Sequence, residues 1–543
     1  MTAPDQTLGS YVSQLLAARG VDTVFGIPGV HTVELYRGLD AAGITHITPR
    51  HEQGAGFMAD GYARVSGKPG VCFIISGPGM TNILTAMGQA YGCSIPMLVI
   101  STVNAQGRMG SGEGWLHELP DQRGLVAGCA AFSRTIHTAD ELEKAIDDAF
   151  SVFEGQRPRP VHIEIPVNLL TQIMPHETAP KPKGQIFRPA PSQESITAMA
   201  TLLKESKRPV ILAGGGSIRA DIRPLAERLD APVVMTTNSR GILPPDHPLG
   251  VSVSASMPHT RRLIAEADCV LAIGTELGPT DYDFYENGGF AIPGKLIRVD
   301  IDARQASRSV AADLTVIADA AATSAALLAE LPAAASPRTQ KDSGAARATE
   351  SRRDIDELSI NYKNYISILE DIRDALPEAY MVSCSTQLSY AGNIGFAATH
   401  PGSYFNSATG FGTLGYGLPA AIGASIAAGA PVICVTGDGG LQFSLGELAS
   451  AREIDAPVIM ILHDNKGYGE IKSYMKTHDL PTIGVDIYTP DLKAVARACG
   501  WHVLTPDRQG LVDAIKEAAL TGGPVMIYLD DDVMDVAISL AAK

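Results

Sequence analysis

Residues 431–440, PVICVTGDGG, form an apolar run that ends in a glycine-rich turn, and this stretch decides the fold of the last third of the chain. A second apolar run at 457–462 ends in HDNKG at 463–467. Short apolar runs that each end in a turn are typical of buried parallel strands, whose carboxyl ends meet at one edge of a sheet. The pattern therefore predicts that Asp438 and Asn465 lie at such an edge, where ligands bind in open α/β sheets.

The chemistry of this edge points to a metal and a phosphate group. Carboxylate and amide oxygens are ligands that Mg²⁺ prefers, and the ion usually keeps substrate phosphates in its shell. Gly439 and Gly440 leave room for backbone N–H groups to meet a diphosphate. Gly-Asp-Gly alone is also consistent with an ordinary turn, and the asparagine after the next strand favours the ligand site. Between the two strands, Ser444 and Glu447 have the spacing of a capping box and predict a helix that begins there.

Composition excludes several classes of protein. The chain has 543 residues, 59 acidic against 43 basic, and a formal charge of −16, which argues against nucleic acid or an anionic membrane surface as the main partner. Hydrophobic residues make up 45%, so large cores can form and general disorder is excluded. The N-terminus has no signal-like apolar segment and no apolar run is long enough to span a bilayer. We therefore expect a soluble cytoplasmic protein.

The chain is expected to consist of three α/β domains, each a mostly parallel sheet flanked by helices. Apolar runs followed by glycine turns recur throughout the sequence, and they are interrupted twice by polar stretches. These stretches predict linkers at 175–192 and 333–352. The predicted domains are then 1–174, 193–332 and 353–543.

Several motifs together resemble the thiamine-diphosphate enzymes. The Gly-Asp-Gly turn with Asn465 after the next strand is similar to their cofactor motif, and RHEQGAG at 50–56 looks like their catalytic glutamate helix. SGPG at 76–79 and GTLGYGLPAA at 412–421 resemble the segments beside the aminopyrimidine and under the bend of the cofactor. The whole chain resembles the acetohydroxyacid synthase and 2-oxo acid decarboxylase group, with pyrimidine-binding, central and diphosphate-binding domains in that order.

The resemblance implies thiamine diphosphate and Mg²⁺ as cofactors. Glu52 is implied to share a proton with N1′ of the aminopyrimidine, which activates the cofactor. Leu414 stands where the synthases usually have Met and is implied to hold the two cofactor rings apart. The implied metal ligands are Asp438, Asn465 and Gly467, and the implied cofactor contacts are Pro78, Asn82, Gln387, Gly412, Leu414, Gly437, Gly439, Gly440 and Asn465.

The resemblance also bears on assembly and on flavin. In the family, Glu52 and Asp438 serve one cofactor from different subunits, so the site is expected at the interface of a homodimer or homotetramer. The synthases carry FAD in the central domain, and Gly214–Gly216 would suit a nucleotide. Ile273–Gly278 lacks the arginine expected for it, so a glycine turn without FAD is favoured.

Three features suggest the substrate. His31, in GIPGVHT at 26–32, is a candidate general acid, with a packed helix-start histidine as the alternative. His117 and Glu118, in WLHE at 115–118, are candidate substrate residues, and the negative charge there suits a guanidinium tail. An ordinary polar loop is the equal alternative. Glu470 is a further lining candidate.

These features look most like decarboxylases of 5-guanidino-2-oxopentanoate. Non-oxidative decarboxylation of that 2-oxo acid is therefore the favoured prediction. An acetolactate synthase-like carboligase that joins two 2-oxo acids is the alternative. A catalytically silent nucleotide-binding regulator that uses Gly214–Gly216 is a third hypothesis.

Overall fold

The computed structural model describes residues 6–174, 179–180, 184–284, 288–333, 339–531 and 533–534. It contains three six-stranded sheets, all of whose paired strands run parallel, with helices on their faces. The predicted fold class is thereby confirmed. No helix in the described ranges combines the length and the apolar composition needed to cross a bilayer.

The first sheet has the strand order β2-β1-β3-β4-β6-β5. Its first helix begins at Leu8, and the Thr7 side chain accepts a hydrogen bond from the Ser10 amide and caps the helix. The strands are β1 (Thr23–Gly26), β2 (Thr45–Ile47), β3 (Gly70–Ile74), β4 (Met97–Val103), β5 (Phe132–Thr135) and β6 (Val161–Pro166). The helices are α1 (Leu8–Ala18), α2 (Val33–Tyr36), α3 (Glu52–Ser66), α4 (Pro78–Cys93), α5 (Gln122–Val126), α6 (Ala139–Gly155) and α7 (Val167–Leu170).

The second sheet has the order β12-β11-β10-β7-β8-β9 and forms the central domain. Its strands are β7 (Pro209–Ala213), β8 (Val233–Met235), β9 (Gly250–Val251), β10 (Cys269–Ile273), β11 (Lys295–Asp300) and β12 (Leu314–Ile317). Its helices are α8 (Gln193–Glu205), α9 (Ile222–Leu229), α10 (Pro258–Ala265), α11 (Pro279–Tyr282), α12 (Ala303–Ala306), α13 (Ala320–Glu330) and α14 (Gly344–Arg352).

The third sheet has the order β14-β13-β15-β16-β18-β17, so β15 and β16, which carry the opening motif, are neighbours. Its strands are β13 (Met381–Ser383), β14 (Tyr404–Asn406), β15 (Val432–Gly437), β16 (Val458–Asp464), β17 (His502–Leu504) and β18 (Val525–Asp530). Its helices are α15 (Ile360–Ala375), α16 (Gln387–Gly395), α17 (Gly417–Ala428), α18 (Asp438–Leu441), α19 (Glu447–Glu453), α20 (Gly469–Thr477), α21 (Leu492–Ala498) and α22 (Leu511–Leu520).

The first and third domains pack through a close crossing of α3 and α17. A Cβ atom at Gly61 would overlap the Ala420 carbonyl, and one at Gly423 would overlap the Met58 carbonyl. Glycine is therefore required at both positions for the two helix backbones to touch. One continuous apolar core, which includes Phe57 and Leu418, spans the boundary. The helix that begins at Glu52 is thus fixed against the third domain.

The second linker is shorter than the sequence predicts. Residues 344–352 form helix α14, in which Ala348 is fully buried against the central domain. The Arg347 guanidinium donates to the backbone carbonyl of Pro209. A composition of small residues is typical of a linker. Alanine nevertheless has the highest helix propensity, and its small side chain lets a helix pack closely against the domain. Residues 334–338 of this linker, and 175–178 and 181–183 of the first one, lie outside the described residues.

The predicted capping box is wrong. Helix α19 begins at Glu447 itself, and its N-cap, Gly446, contributes no side-chain hydrogen bond. The Glu447 carboxylate turns instead toward the first domain and accepts hydrogen bonds from the Arg50 amide, with N···O distances of 3.0 and 3.2 Å. A partner 397 residues away cannot be inferred from a four-residue spacing.

Candidate active site

Glu52 lies at the start of α3, directly after its N-cap His51. Its Oε2 accepts a hydrogen bond of 2.9 Å from Nδ2 of Asn82 on α4. Helix α4 begins with Pro78, and the turn before it needs glycine because Gly77 has a φ of 68°. The structure therefore brings together three of the residues that the resemblance assigns to the aminopyrimidine half of the site.

His31 and His117 also meet beside this turn. The centroids of the two rings are 5.1 Å apart, and Nδ1 of His31 lies 2.6 Å from Oγ of Ser76. Burial, and then the charge of His117, lower the pKa of His31 below its ordinary value. His117 has a φ of 60°, and its buried Nδ1 has no hydrogen-bond partner among the described residues. A left-handed backbone and an unpaired buried nitrogen make His117 a candidate functional residue.

Glu118 is occupied within its own loop. Its carboxylate accepts hydrogen bonds from the hydroxyl of Ser111 and from the amides of Gly112, Gly114 and Trp115. These bonds, the one from the Gly112 amide foremost, lower its pKa. A guanidinium would have to compete with all four donors. The assignment of Glu118 to the substrate stays a prediction. In the structure its carboxylate holds together the loop that carries His117.

Asp438 is the first residue of α18, directly after β15, and is 1% exposed. Burial raises its pKa above the ordinary value for aspartate. Its Oδ2 accepts a hydrogen bond of 2.7 Å from Oγ1 of Thr489. Asn465 follows β16, the neighbouring strand, and its Nδ2 donates to Oε1 of Gln387 over 3.0 Å. Asp438 and Asn465 therefore lie close together, as predicted, because they follow neighbouring strands of the sheet.

The carboxylate of Asp438, the side-chain amide of Asn465 and the carbonyl group of Gly467 converge at this point. One end of the Asn465 amide lies 3.1 Å from Oδ1 of Asp438 and 2.9 Å from the carbonyl oxygen of Gly467. The amide nitrogen at this end would donate to both oxygens, whereas the amide oxygen would share a cation with them, because oxygens this close otherwise repel one another. Carboxylate, amide and carbonyl oxygens form the donor set that suits Mg²⁺. These residues therefore fit a divalent cation.

Two helix N-termini lie next to this cluster. Helices α16 and α18 begin side by side, and neither has a side-chain cap. A Cβ at Gly439 would lie 2.8 Å from the Tyr468 ring, and one at Gly440 would lie 3.1 Å from Sγ of Cys384. At Gly437 it would lie 3.2 Å from Oγ1 of Thr386. The glycines thus let the chain turn tightly, with open helix N-termini that suit a diphosphate.

The segment at 412–414 follows a sharp turn on the same domain. Gly412 has a φ of 77°, which only glycine adopts without strain, and its amide donates to the Ser407 carbonyl over 3.0 Å. Leu414 is half-buried two residues later. The turn fixes the backbone position of Leu414. A residue that supports a bent ligand needs such a fixed position.

Among the described residues, no lysine, arginine or histidine forms an ion pair with Glu470. It lies in the first turn of α20, where burial raises its pKa and a hydrogen bond with Gln387 opposes the rise. Gln387 also accepts from Asn465 and from the hydroxyl of Tyr365. Gln387 therefore connects Glu470 to Asn465. A cation beside Glu470 would offset the free-energy cost of removing its carboxylate from water.

Sequence reasoning missed two arginines of a separate cavity of about 290 Å³ at the carboxyl ends of β7, β10 and β11. Gly214–Gly216 and Asp300 line it, as do Arg64 and Arg157 from the first domain. Nη2 of Arg64 and Nη1 of Arg157 are buried, and neither has a hydrogen-bond partner in the part of the chain that the structure describes. Such N–H groups suit a phosphate-bearing ligand. The segment Ile273–Gly278 of the central domain has no arginine. Packing of the first domain against the central domain brings in the guanidinium groups of Arg64 and Arg157 instead.

Comparisons with known proteins agree with this arrangement. The family models "Thiamine pyrophosphate enzyme" match in chain order: the N-terminal TPP binding domain at 6–125, the central domain at 196–327 and the C-terminal TPP binding domain at 385–529. "Probable 2-ketoarginine decarboxylase AruI" of Pseudomonas aeruginosa is 44% identical over 93% of this chain and 90% of its own length. "Probable acetolactate synthase large subunit" of Methanocaldococcus jannaschii is 31% identical over 97% and 92%, and "Acetolactate synthase isozyme 1 large subunit" of Escherichia coli is 29% identical over 97% and 94%.

Proposed function

Because the chain belongs to the thiamine pyrophosphate enzyme family, we propose that it removes CO₂ from a 2-oxo acid with a cationic tail, with 5-guanidino-2-oxopentanoate (2-ketoarginine) as the favoured substrate. The observation that carries the proposal is the 44% identity, over 93% of the chain, to a protein whose name is that of a 2-ketoarginine decarboxylase. Thiamine pyrophosphate, also called thiamine diphosphate, is the cofactor that the three family models share.

The proposed cofactor site has two halves. Asp438, Asn465 and the Gly467 carbonyl would hold Mg²⁺, and the amides at Gly439 and Gly440 would bind the diphosphate. Pro78, Asn82, Gly412 and Leu414 would hold the ring system. When bound, the cofactor supplies an electron sink for the carbon that loses CO₂. Glu52 would hold and release the proton at N1′, with its carboxylate kept in place by Asn82.

We propose that His31 delivers the proton that replaces CO₂ on the substrate carbon. The contact with Ser76 Oγ orients its ring, so that the other nitrogen is left for the substrate. His117 lies edge-on to it and lowers its pKa, which makes His31 a stronger acid. The balance of the reaction is one 2-oxo acid and one proton converted to one aldehyde and CO₂.

Glu470 is the proposed partner of the cationic tail. A half-buried carboxylate with a raised pKa gains from a neighbouring cation, and a guanidinium can bind it through two parallel N–H groups. The net reaction passes no electrons to an external acceptor, so it requires no flavin chemistry. We propose that the site is completed between two copies of the chain, in a homodimer or homotetramer, as the family resemblance implies for Glu52 and Asp438.

The substrate proposal is tested by measuring CO₂ release from 2-oxo acids with cationic, apolar and acidic tails, in the presence of thiamine diphosphate and Mg²⁺. We expect kcat/KM to be at least 100-fold higher for 5-guanidino-2-oxopentanoate than for pyruvate, and Glu470→Gln to remove about 10-fold or more of that preference. Thr477→Val, at the last residue of the same helix, is the matched control. Equal rates on all three classes would contradict the proposal.

A carboligase remains the second candidate function because two of the relatives are named acetolactate synthases. Analysis of the products from pyruvate separates the two functions. Acetaldehyde supports the decarboxylase, whereas acetolactate with little aldehyde supports the carboligase.

The pH dependence of kcat/KM is expected to report His31. A general acid must be protonated, so its contribution falls as pH rises through its pKa, which lies below the ordinary histidine value. His117→Ala removes a positive neighbour and opens the ring of His31 to solvent. Both changes raise the pKa of His31, so the descending limb should move to higher pH. His137→Ala, at an exposed histidine of the same domain, should leave the limb in place. A limb that stays or moves to lower pH in His117→Ala would refute this role.

A further inference from the structure

Glu447 is a buried carboxylate whose predicted capping role is wrong and to which the proposed reaction gives no role. It is 2% exposed, although it begins helix α19 in the third domain. Both of its oxygens face the Arg50 amide of the first domain, at 3.0 and 3.2 Å, and the His51 amide adds a further hydrogen bond. The Ser450 hydroxyl donates to Oε2 over 2.7 Å. The carboxylate therefore binds the backbone directly before helix α3.

The first turn of α3 is shaped to admit this carboxylate. A Cβ at Gly54 would overlap Oε1 of Glu447, so only glycine leaves the space. Gly54 lies in the regular part of a helix and has no positive φ, so the backbone conformation does not require glycine there. Glycine in a helix costs about 0.5–1 kcal/mol relative to alanine. In return for this cost, the glycine allows the Glu447 carboxylate to approach the backbone of α3 closely.

A carboxylate at this place is well suited to hold a helix N-terminus. The first amides of a helix have no partner within it, and a negative charge there is favoured by the helix dipole. The His51 side chain satisfies only the Gln53 amide. Glu447 supplies acceptors to the two amides that precede Glu52, and it does so from a different domain.

We propose that Glu447 is a positioning residue for Glu52. This inference rests on the catalytic role proposed for Glu52. That side chain is held from one side by Asn82, at 2.9 Å, and its backbone is held from the other side through Arg50 and His51. Loss of the Glu447 carboxylate frees these amides, and the first turn of α3 can then shift or fray. A displacement of about 1 Å at a catalytic group can cost 10²-fold in rate.

The experiment compares three variants with the wild-type protein. Glu447→Ala removes the acceptors. Glu447→Gln keeps one oxygen for the amides of Arg50 and His51 and turns its NH₂ group to the Ser450 hydroxyl. Glu453→Gln is the matched control, because Glu453 pairs with the Arg50 side chain at the surface and leaves the backbone contact intact. The readouts are amide hydrogen exchange of the peptide around 50–56 in the cofactor-free protein, and kcat and KM for CO₂ release in the loaded protein.

In Glu447→Ala we expect amide hydrogen exchange in the peptide around 50–56 to be at least 10-fold faster than in the wild type. We expect kcat to fall about 100-fold, and KM for the 2-oxo acid to change less than 3-fold. Glu447→Gln and Glu453→Gln should both stay within about 3-fold of the wild type. If Glu447→Ala does not fold, Glu447→Asp, whose carboxylate is drawn back by one methylene group, should show the same pattern at smaller size.

Three results would overturn the proposal. These are unchanged exchange around 50–56 in Glu447→Ala, an unchanged kcat, or a Glu447→Gln variant as impaired as Glu447→Ala. The exchange measurement uses no substrate and no cofactor. Its failure is therefore distinguishable from failure of the proposed function, which would appear as full activity in Glu52→Gln.

Discussion

Glu52→Gln is expected to lower the rate of CO₂ release by about 10²- to 10⁴-fold, the range that a positioned acid–base group contributes. Glutamine keeps the shape of the side chain and can still accept the hydrogen bond that Asn82 donates. An amide nevertheless cannot take up and release a proton at N1′. The loss should therefore appear in kcat under saturating thiamine diphosphate, measured as CO₂ released per active site.

The control for this variant is Glu453→Gln, which removes a carboxylate near the same helix at the protein surface. We expect it to retain wild-type activity, since exposed ion pairs contribute about 1 kcal/mol or less. Thermal unfolding and cofactor binding of Glu52→Gln should stay close to those of the wild type. Turnover at the wild-type rate in Glu52→Gln would remove Glu52 from the proposed mechanism.

Asp438→Ala is expected to weaken Mg²⁺-dependent binding of thiamine diphosphate by 100-fold or more. Side chains that only support a metal ligand typically contribute 10- to 100-fold in affinity, so loss of a charged ligand should cost at least the upper value. The variant also removes the acceptor of the Thr489 hydroxyl. The measurement is a titration of the cofactor-free protein with Mg²⁺ at fixed thiamine diphosphate, followed by intrinsic fluorescence.

Thr489→Val provides a graded control, because it removes the donor to Oδ2 of Asp438 and leaves the carboxylate in place. We expect a loss of about 10-fold in the same titration. If Asp438→Ala saturates at the wild-type Mg²⁺ concentration, the oxygen cluster of Asp438, Asn465 and Gly467 is not the metal site.

The metal half of the site is the part that sequence reasoning reaches most directly. Asp438 and Asn465 each follow an apolar run, and parallel strands place their carboxyl ends at one edge. The strand order, with β15 next to β16, then brings the two side chains within 3.1 Å. Motif and sheet geometry agree here because both depend on segments close together in the chain.

The substrate half shows where such reasoning stops. The sequence suggests that Glu118 offers charge to the substrate, yet the four donors to its carboxylate come from its own loop. Loop conformation decides whether a carboxylate is free, and hydrophobic periodicity carries no information on it. The pairing of His31 with His117 likewise depends on that loop.

The sequence by itself determined the apolar runs that become β15 and β16 and the succession of three α/β domains. These features depend on side-chain periodicity and turn residues within short windows. Only the tertiary structure decided that residues 344–352 fold onto the central domain, that Arg64 and Arg157 enter its cavity, and that Glu447 holds the helix of Glu52. Each of these contacts joins segments far apart in the chain, so it exists only after the domains have packed.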